Sequence, residues 1–190
     1  MISINIINRI TFLAIVIVLI SFSTVIAQPV KKDVKVYRDK KYMFMLQYPS
    51  TWAVEPATHE NTKFRLVSNN GSGQDDFIVN VQYIEAIKNV STKEAVASIN
   101  PQDLVNGLRN TMPDIKLING GKSYLSQLEA VFYVAEFTYR TFGVEVPMKM
   151  LQIQTIKKGY VYVLGFRCPS ERFNDMFPIF QNIAAGFIIQ

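Results

Sequence analysis

The side chains best suited to catalysis or metal binding are few and scattered in this chain. His59 is the only histidine and Cys168 is the only cysteine. A hydrolytic triad would therefore depend on His59, and a metal site would depend mainly on carboxylates. His59 lies in a polar segment, and no nucleophile-elbow sequence occurs elsewhere. The sequence therefore predicts no catalytic residue, no metal-binding residue and no cofactor, and it predicts that the protein is not an enzyme.

Two short motifs resemble ligand-binding loops but lack the residue spacing that such loops require. Asp75 and Asp76 follow a turn segment at 69–73, but calcium loops place ligands at alternate positions and end in a glutamate. The spacing favours ordinary solvation of both carboxylates in a loop. Gly121-Lys122-Ser123 copies the end of a phosphate-binding loop, but Lys116 stands where the first glycine belongs. We interpret residues 119–121 as a hairpin turn.

Residues that could contact a partner lie near the start of the chain. Trp52, the only tryptophan, follows a proline corner, so it either seals the edge of the sheet or contacts a partner at the rim. Lys31, Lys32 and Lys35 belong to a basic segment that either contacts anionic lipid or an acidic protein, or is a solvated tether. These four residues are the predicted partner contacts. The sequence does not predict nucleic acid as a partner.

The first 27 residues have the three-part organisation of a secretory signal peptide. Arg9 precedes an apolar run at 10–20, and Val25-Ile26-Ala27 predicts cleavage between Ala27 and Gln28. The alternative is an uncleaved anchor, because the apolar stretch at 10–27 approaches the length of a membrane span. We expect an exported protein, located in a periplasm, outside the cell or in a thylakoid lumen. A single cysteine excludes an intramolecular disulfide.

Behind the signal peptide we expect a basic flexible leader at 28–36 and one domain at 37–190. Alternating apolar residues predict strands at 43–48, 63–68 and 77–83, and a meander of three antiparallel strands at 129–140, 148–156 and 160–167. Capping signals predict helical structure from Ser91, from Asn100 and from Ser170. The capping signals at Ser91 and Asn100 predict either two short helices or one broken helix.

The meander is apolar on both of its faces, so both faces must be covered. The helical section from Asn100 would cover one face and the C-terminal helix the other. The predicted fold class is therefore α+β, a three-layer α/β/α sandwich around a mainly antiparallel central sheet.

The order of these elements resembles the PsbP-like family, which comprises the photosystem II extrinsic protein PsbP and its bacterial exported relatives. The resemblance lies in the whole element order and in an opening made of three parts: Tyr37-Arg38-Asp39, Phe44 and the corner Tyr48-Pro49-Ser50-Thr51-Trp52. It implies an antiparallel α/β/α fold and a non-enzymatic protein that assists the assembly or stability of a membrane-associated complex. The implied partner is a protein in or at a membrane, with peripheral membrane contact.

Oxygen-evolving members of this family are linked to the retention of calcium and manganese. Their metal-binding histidines have no counterpart here, because His59 is the only histidine and matches no family motif. The alternative function is therefore a small-molecule or metal-ion (calcium or manganese) binding module that uses a cleft beside Trp52.

Overall fold

The structure is a computed structural model that describes residues 33–57, 59–68 and 75–190. The predicted signal peptide, its cleavage site at Ala27 and Gln28, and the basic residues Lys31 and Lys32 lie outside the described residues. One compact unit spans Lys32–Gln190. Within the described residues, no helix combines the length and the apolar character needed to cross a membrane.

The described chain contains ten strands and three α-helices. The strands are β1 (Val34–Asp39), β2 (Phe44–Pro49), β3 (Trp52–Val54), β4 (Thr62–Ser68), β5 (Asp76–Tyr83), β6 (Lys116–Leu125), β7 (Leu128–Thr141), β8 (Val144–Lys157), β9 (Tyr160–Pro169) and β10 (Ile188–Ile189). The helices are α1 (Thr92–Ala97), α2 (Pro101–Gly107) and α3 (Phe173–Ala185), with 3₁₀ turns at Glu85–Ile87 and Ser170–Arg172.

Two sheets form from these strands. The larger has seven strands in the order β3-β4-β5-β9-β8-β7-β6, and every neighbouring pair is antiparallel. The smaller has the order β1-β2-β10 and joins the start of the described chain to its end. The predicted antiparallel meander is confirmed as β7-β8-β9. The separate small sheet was not predicted, because it pairs strands that lie more than a hundred residues apart in sequence.

The flexible leader predicted at 28–36 extends too far along the chain. Strand β1 begins at Val34 and pairs with β2 along its whole length, from Val34 opposite Pro49 to Asp39 opposite Phe44. Residues 34–36, which the sequence analysis placed in a flexible leader, are therefore part of the fold.

Three tight turns connect the successive strands β6, β7, β8 and β9. Each has two residues with positive φ, at Ser126 and Gln127, at Phe142 and Gly143, and at Lys158 and Gly159. This is the backbone of type I′ hairpins, whose twist matches that of the flanking strands. Two of these turns, at Phe142-Gly143 and Lys158-Gly159, join the strands of the predicted meander. The predicted turn at 119–121 is wrong, because these residues lie inside β6.

Both faces of the large sheet are covered, as predicted. On one face, α3 and the small sheet enclose the larger hydrophobic cluster, and α3 contributes the buried residues Phe173, Met176, Phe180 and Ile183 at helical spacing. On the other face, α2 packs Val105 against Tyr133, Ala135 and Met150. The three layers of the α+β sandwich are therefore present.

Local capping explains why α1 and α2 are separate helices. The Ser91 hydroxyl accepts a hydrogen bond from the amide of Glu94 at 3.2 Å, and the Asn100 side chain accepts one from the amide of Gln102 at 2.9 Å. Pro101 occupies the first turn of α2, where its missing amide hydrogen costs nothing. Of the two arrangements left open by the sequence, the structure shows two short helices.

Candidate functional site: a groove beside strand β6

An open groove of about 950 Å³ lies between helix α3 and strands β6, β7 and β8. Its floor is apolar and consists of Phe132 and Val134 from β7 with Leu151 and Ile153 from β8. The wall is formed by α3 and by the chain that follows it. The remaining lining residues are Asn119, Ser123, Tyr124, Ser126, Gln127, Phe177, Phe180, Gln181, Ala184, Ala185, Phe187, Ile188 and Ile189. No charged side chain is among them, so the groove suits an uncharged, apolar ligand.

Small residues on β6 keep the groove open. The strand register sets Asn119 opposite Val134, Gly121 opposite Phe132 and Ser123 opposite Ala130. These three β6 residues share one face, because side chains alternate along a strand. A Cβ atom added to Gly121 would lie 3.6 Å from the Phe132 ring, which is ordinary van der Waals contact. No large side chain from this stretch of β6 therefore covers the floor.

Gly120 faces the opposite side of β6, where it allows helix α2 to pack closely on the strand. A Cβ atom there would lie 2.6 Å from Cβ of Pro101, the first residue of α2, and 3.1 Å from the carbonyl oxygen of Phe132. Helix α2 can approach the strand this closely only because Gly120 has no side chain. The two adjacent glycines thus serve helix packing on one face and the open groove on the other. These two roles were not predicted, because residues 119–121 were interpreted as a hairpin turn and lie instead inside β6.

Among the strands that the structure describes, β6 forms one end of the seven-stranded sheet and pairs with β7 alone. A bulge between Leu117 and Asn119 interrupts the pairing, and residues 119–125 then pair regularly with β7. An edge strand presents backbone N–H and C=O groups that can pair with an added strand. A peptide strand added to β6 would place alternate side chains on the groove side of the sheet, beside Asn119, Gly121 and Ser123.

Trp52 does not lie at this groove or at any rim. Its side chain is 5% exposed and belongs to the larger hydrophobic cluster, and it is not among the residues that line the groove. This burial favours the sealing role of Trp52, and its contact with a partner stays a prediction. Lys35 is exposed on β1 and is likewise not a groove residue.

Asp75 and Asp76 are not solvated loop residues. The Asp75 carboxylate is fully buried, accepts a hydrogen bond from the Ser68 hydroxyl at 2.6 Å and lies 2.8 Å from the Arg172 guanidinium. Asp76 accepts two hydrogen bonds from Arg167, at 2.8 and 2.6 Å. The prediction of solvation is wrong, because arginines that are distant in sequence neutralise both carboxylates.

These carboxylates do not gather into a metal site. Among residues 33–57, 59–68 and 75–190, no three histidine, cysteine, aspartate or glutamate side chains are placed to hold a metal ion together. Asp76 is paired bidentately with Arg167, and Asp75 is paired with Arg172 through one carboxylate oxygen. We therefore assign Asp75 and Asp76 to the stability of the fold.

Cys168 lies beside this ion-pair cluster and is fully buried in the larger hydrophobic cluster. Burial, followed by the negative charge of Asp75, raises the pKa of its thiol to about 12. The thiolate is the nucleophilic form of cysteine. Cys168 is therefore an inert packing residue.

Comparison with known proteins shows the fold. No protein-family model matches the chain, and no curated protein sequence matches it. Cyanobacterial PsbP (CyanoP) from Synechocystis sp. PCC 6803 is similar with a TM-score of 0.59 at 14% identity, over 83% of this chain and 92% of that chain. The Ran-binding protein Mog1p of Saccharomyces cerevisiae is similar with a TM-score of 0.55 at 9% identity, over 83% of this chain and 96% of that chain. The predicted PsbP-like fold is confirmed.

Proposed function

We propose that this protein is an exported, non-enzymatic accessory protein that binds an extended, uncharged peptide segment of a partner protein in the groove beside β6. The single observation that carries the proposal is the combination of an open edge strand with an uncharged apolar groove. The signal-peptide pattern supports export. A protein partner also agrees with the name of one solved neighbour in the fold, which is a Ran-binding protein.

The geometry favours a peptide over an isolated small molecule or ion. The amide of Gly120 already donates to Asn119 Oδ1 at 2.8 Å. The edge backbone from Gly121 to Leu125 offers hydrogen bonds along a line, which a peptide strand can use together. On the groove side, alternate side chains of that strand would pack beside Asn119, Gly121 and Ser123 of β6, and long apolar side chains would reach toward Phe132 and Val134 of β7. Calcium and manganese prefer carboxylate oxygens, which the groove lining lacks.

The affinity of such a site is limited. Burying two or three aliphatic side chains contributes roughly 1.5–3 kcal/mol each. Ordering the peptide and losing its translational freedom offset part of this gain, so we expect a Kd on the order of 1–100 μM. This range is typical of an accessory protein that engages its partner reversibly. We propose that the partner belongs to a membrane-associated complex whose assembly or stability the protein assists.

The proposal is tested by selecting peptides that bind the protein and then filling the groove with a larger side chain. Random eight-residue peptides are selected by display on the folded protein, and the selected sequences are titrated by fluorescence anisotropy. We expect uncharged peptides with apolar residues at alternate positions, and a loss of at least tenfold in affinity for Gly121→Leu. The added side chain would occupy the space above Phe132, where the backbone leaves room for it.

The matched control is Gly107→Leu, which adds the same side chain at the end of α2, where nothing lies within 4 Å of the new Cβ. This variant is expected to bind the peptides as the parent protein does. If no peptide is enriched, or if Gly121→Leu binds the selected peptides with unchanged affinity, the groove is not the binding site.

A further inference from the structure

The β1–β2 hairpin carries positive charges that lack acidic partners. Lys35, Arg38, Lys40 and Lys41 are exposed, and none of them forms a salt bridge within the part of the chain that the structure describes. The neighbouring Asp39 is engaged inside the turn, where one carboxylate oxygen accepts hydrogen bonds from the amides of Lys41 and Tyr42 at 2.9 Å each. The hairpin therefore presents a net positive surface.

The same hairpin carries exposed apolar side chains. Phe44, Leu46 and Tyr48 of β2 point into the core, so the alternate positions of the small sheet face outward. On this outer face Val34 is 55% exposed, Val36 is 50% exposed and Ile188 is 45% exposed. Arg38 lies on the same face of β1 as the two valines, because the three positions are spaced by two residues. Basic and apolar side chains thus share one face.

The tip of the hairpin repeats this composition. Met43 has a φ of 53° and is 51% exposed, so the turn holds an apolar side chain in solvent. Beside it, the ammonium groups of Lys41 and Lys63 lie 5.1 and 4.7 Å from the centre of the Tyr42 ring. Aromatic and apolar side chains among lysines are typical of segments that rest at the interface of a lipid bilayer.

We propose that the outer face and tip of the β1–β2 hairpin dock on the anionic surface of a membrane. The cations would bind lipid headgroups, while Val34, Val36 and Met43 would enter the boundary with the acyl chains. Cations beside exposed apolar side chains match a bilayer surface, where anionic headgroups lie above an apolar layer, better than they match an acidic protein surface, which would leave the apolar side chains without a partner. This inference goes beyond the peptide-binding groove, which is uncharged.

The test is sedimentation of the protein with lipid vesicles. A protein of residues 28–190 contains the whole compact unit and lacks the apolar N-terminal segment. We expect it to bind vesicles with 30% phosphatidylserine far more tightly than pure phosphatidylcholine vesicles at 0.1 M salt, and to be released at 1 M salt. The triple variant Arg38→Gln, Lys40→Gln, Lys41→Gln is expected to lose about 100-fold in binding, about fivefold for each cation removed.

Two further variants make the test specific. Lys93→Gln, Arg109→Gln, Lys122→Gln removes the same charge from α1, from the segment after α2 and from β6, and is expected to lose much less binding. Met43→Asn removes the apolar tip while keeping a residue that tolerates positive φ, and a loss of severalfold is expected.

Three outcomes would overturn the membrane proposal. The first is absence of binding to anionic vesicles, and the second is an equal loss in the two triple variants. The third is binding to an acidic polypeptide such as polyglutamate, but not to vesicles, through the hairpin cations, which would identify an acidic protein as the partner. Peptide binding in the groove is measured separately, so failure here leaves the proposed function untouched.

Discussion

At the residue scale, Gly120 and Gly121 show how neighbouring positions of one strand acquire opposite requirements. Gly120 faces Pro101 at a distance that no Cβ atom tolerates, whereas Gly121 faces open space above Phe132. A glycine within a strand also weakens it by roughly 0.5–1 kcal/mol relative to alanine. The first glycine is therefore required by packing, and the second is a cost to stability that leaves the groove open.

Alanine substitutions separate these two roles. Gly120→Ala is expected to lower the free energy of unfolding by about 1–3 kcal/mol, because the new methyl group forces α2 away from β6. Gly121→Ala is expected to leave it unchanged or to raise it by up to about 1 kcal/mol. Urea denaturation followed by circular dichroism measures both. Equal effects of the two substitutions would contradict the assignment of the two faces.

The sequence predicted some of these residues well and others badly, for a physical reason. The burial of Cys168 follows from the apolar strand that contains it, which is a local pattern. The burial of Asp75 depends on Arg172, almost a hundred residues later, and no local pattern announces that pairing. Trp52 allowed two interpretations because a proline corner can face either the core or the solvent.

At the scale of elements, the hairpin turns explain which strand boundaries could be predicted. Phe142-Gly143 and Lys158-Gly159 carry glycine at the second turn position, where positive φ is required. Ser126-Gln127 has the same backbone without a glycine, so the nearby Gly120-Gly121 pair was taken for the turn. The alternation of β7, β8 and β9 was visible in sequence. The pairing of β2 with β10 was not, because β10 has only two residues.

The turn without glycine can be improved. Gln127 has a φ of 65°, and a left-handed conformation costs a residue other than glycine roughly 1–2 kcal/mol. After subtraction of the entropy that glycine loses on folding, Gln127→Gly is expected to raise the free energy of unfolding by up to about 1 kcal/mol. Gln127→Ala is the control, because it removes the same side chain and keeps the strained backbone. A stabilisation by alanine equal to that by glycine would refute the explanation.

At the scale of the whole molecule, two buried phenols and one buried thiol make the free energy of unfolding fall in alkaline solution. Burial raises the pKa of the Tyr162 phenol and of the Cys168 thiol to about 12 each, and it raises that of the Tyr133 phenol further. In the unfolded chain a thiol ionises near pH 8.5–9 and a tyrosine near pH 10. Above these values the unfolded state binds fewer protons than the folded state, so stability falls as pH rises.

The free energy of unfolding is therefore expected to be constant up to about pH 8.5 and then to decline. Each group contributes a slope of about 1.4 kcal/mol per pH unit between its unfolded and folded pKa. Between pH 9 and 10 the thiol is the main contributor, so the free energy of unfolding of Cys168→Ala should fall less steeply there than that of the parent protein. The cavity left by the substitution lowers the free energy of unfolding at every pH, and this constant loss is subtracted before the slopes are compared. Urea denaturation at several pH values measures this. Identical slopes for both proteins would show that Cys168 does not contribute.

The edge position of β6 also bears on self-association. Two copies of β6 that paired antiparallel about Asn119 would place Lys116 of each copy opposite Lys122 of the other. Like charges directly opposite each other destabilise a strand pair, and the bulge at Leu117–Asn119 disturbs the same register. A foreign strand without cations meets no such repulsion. The lysines of β6 thus discourage dimerisation of the protein through the edge that is open to a partner.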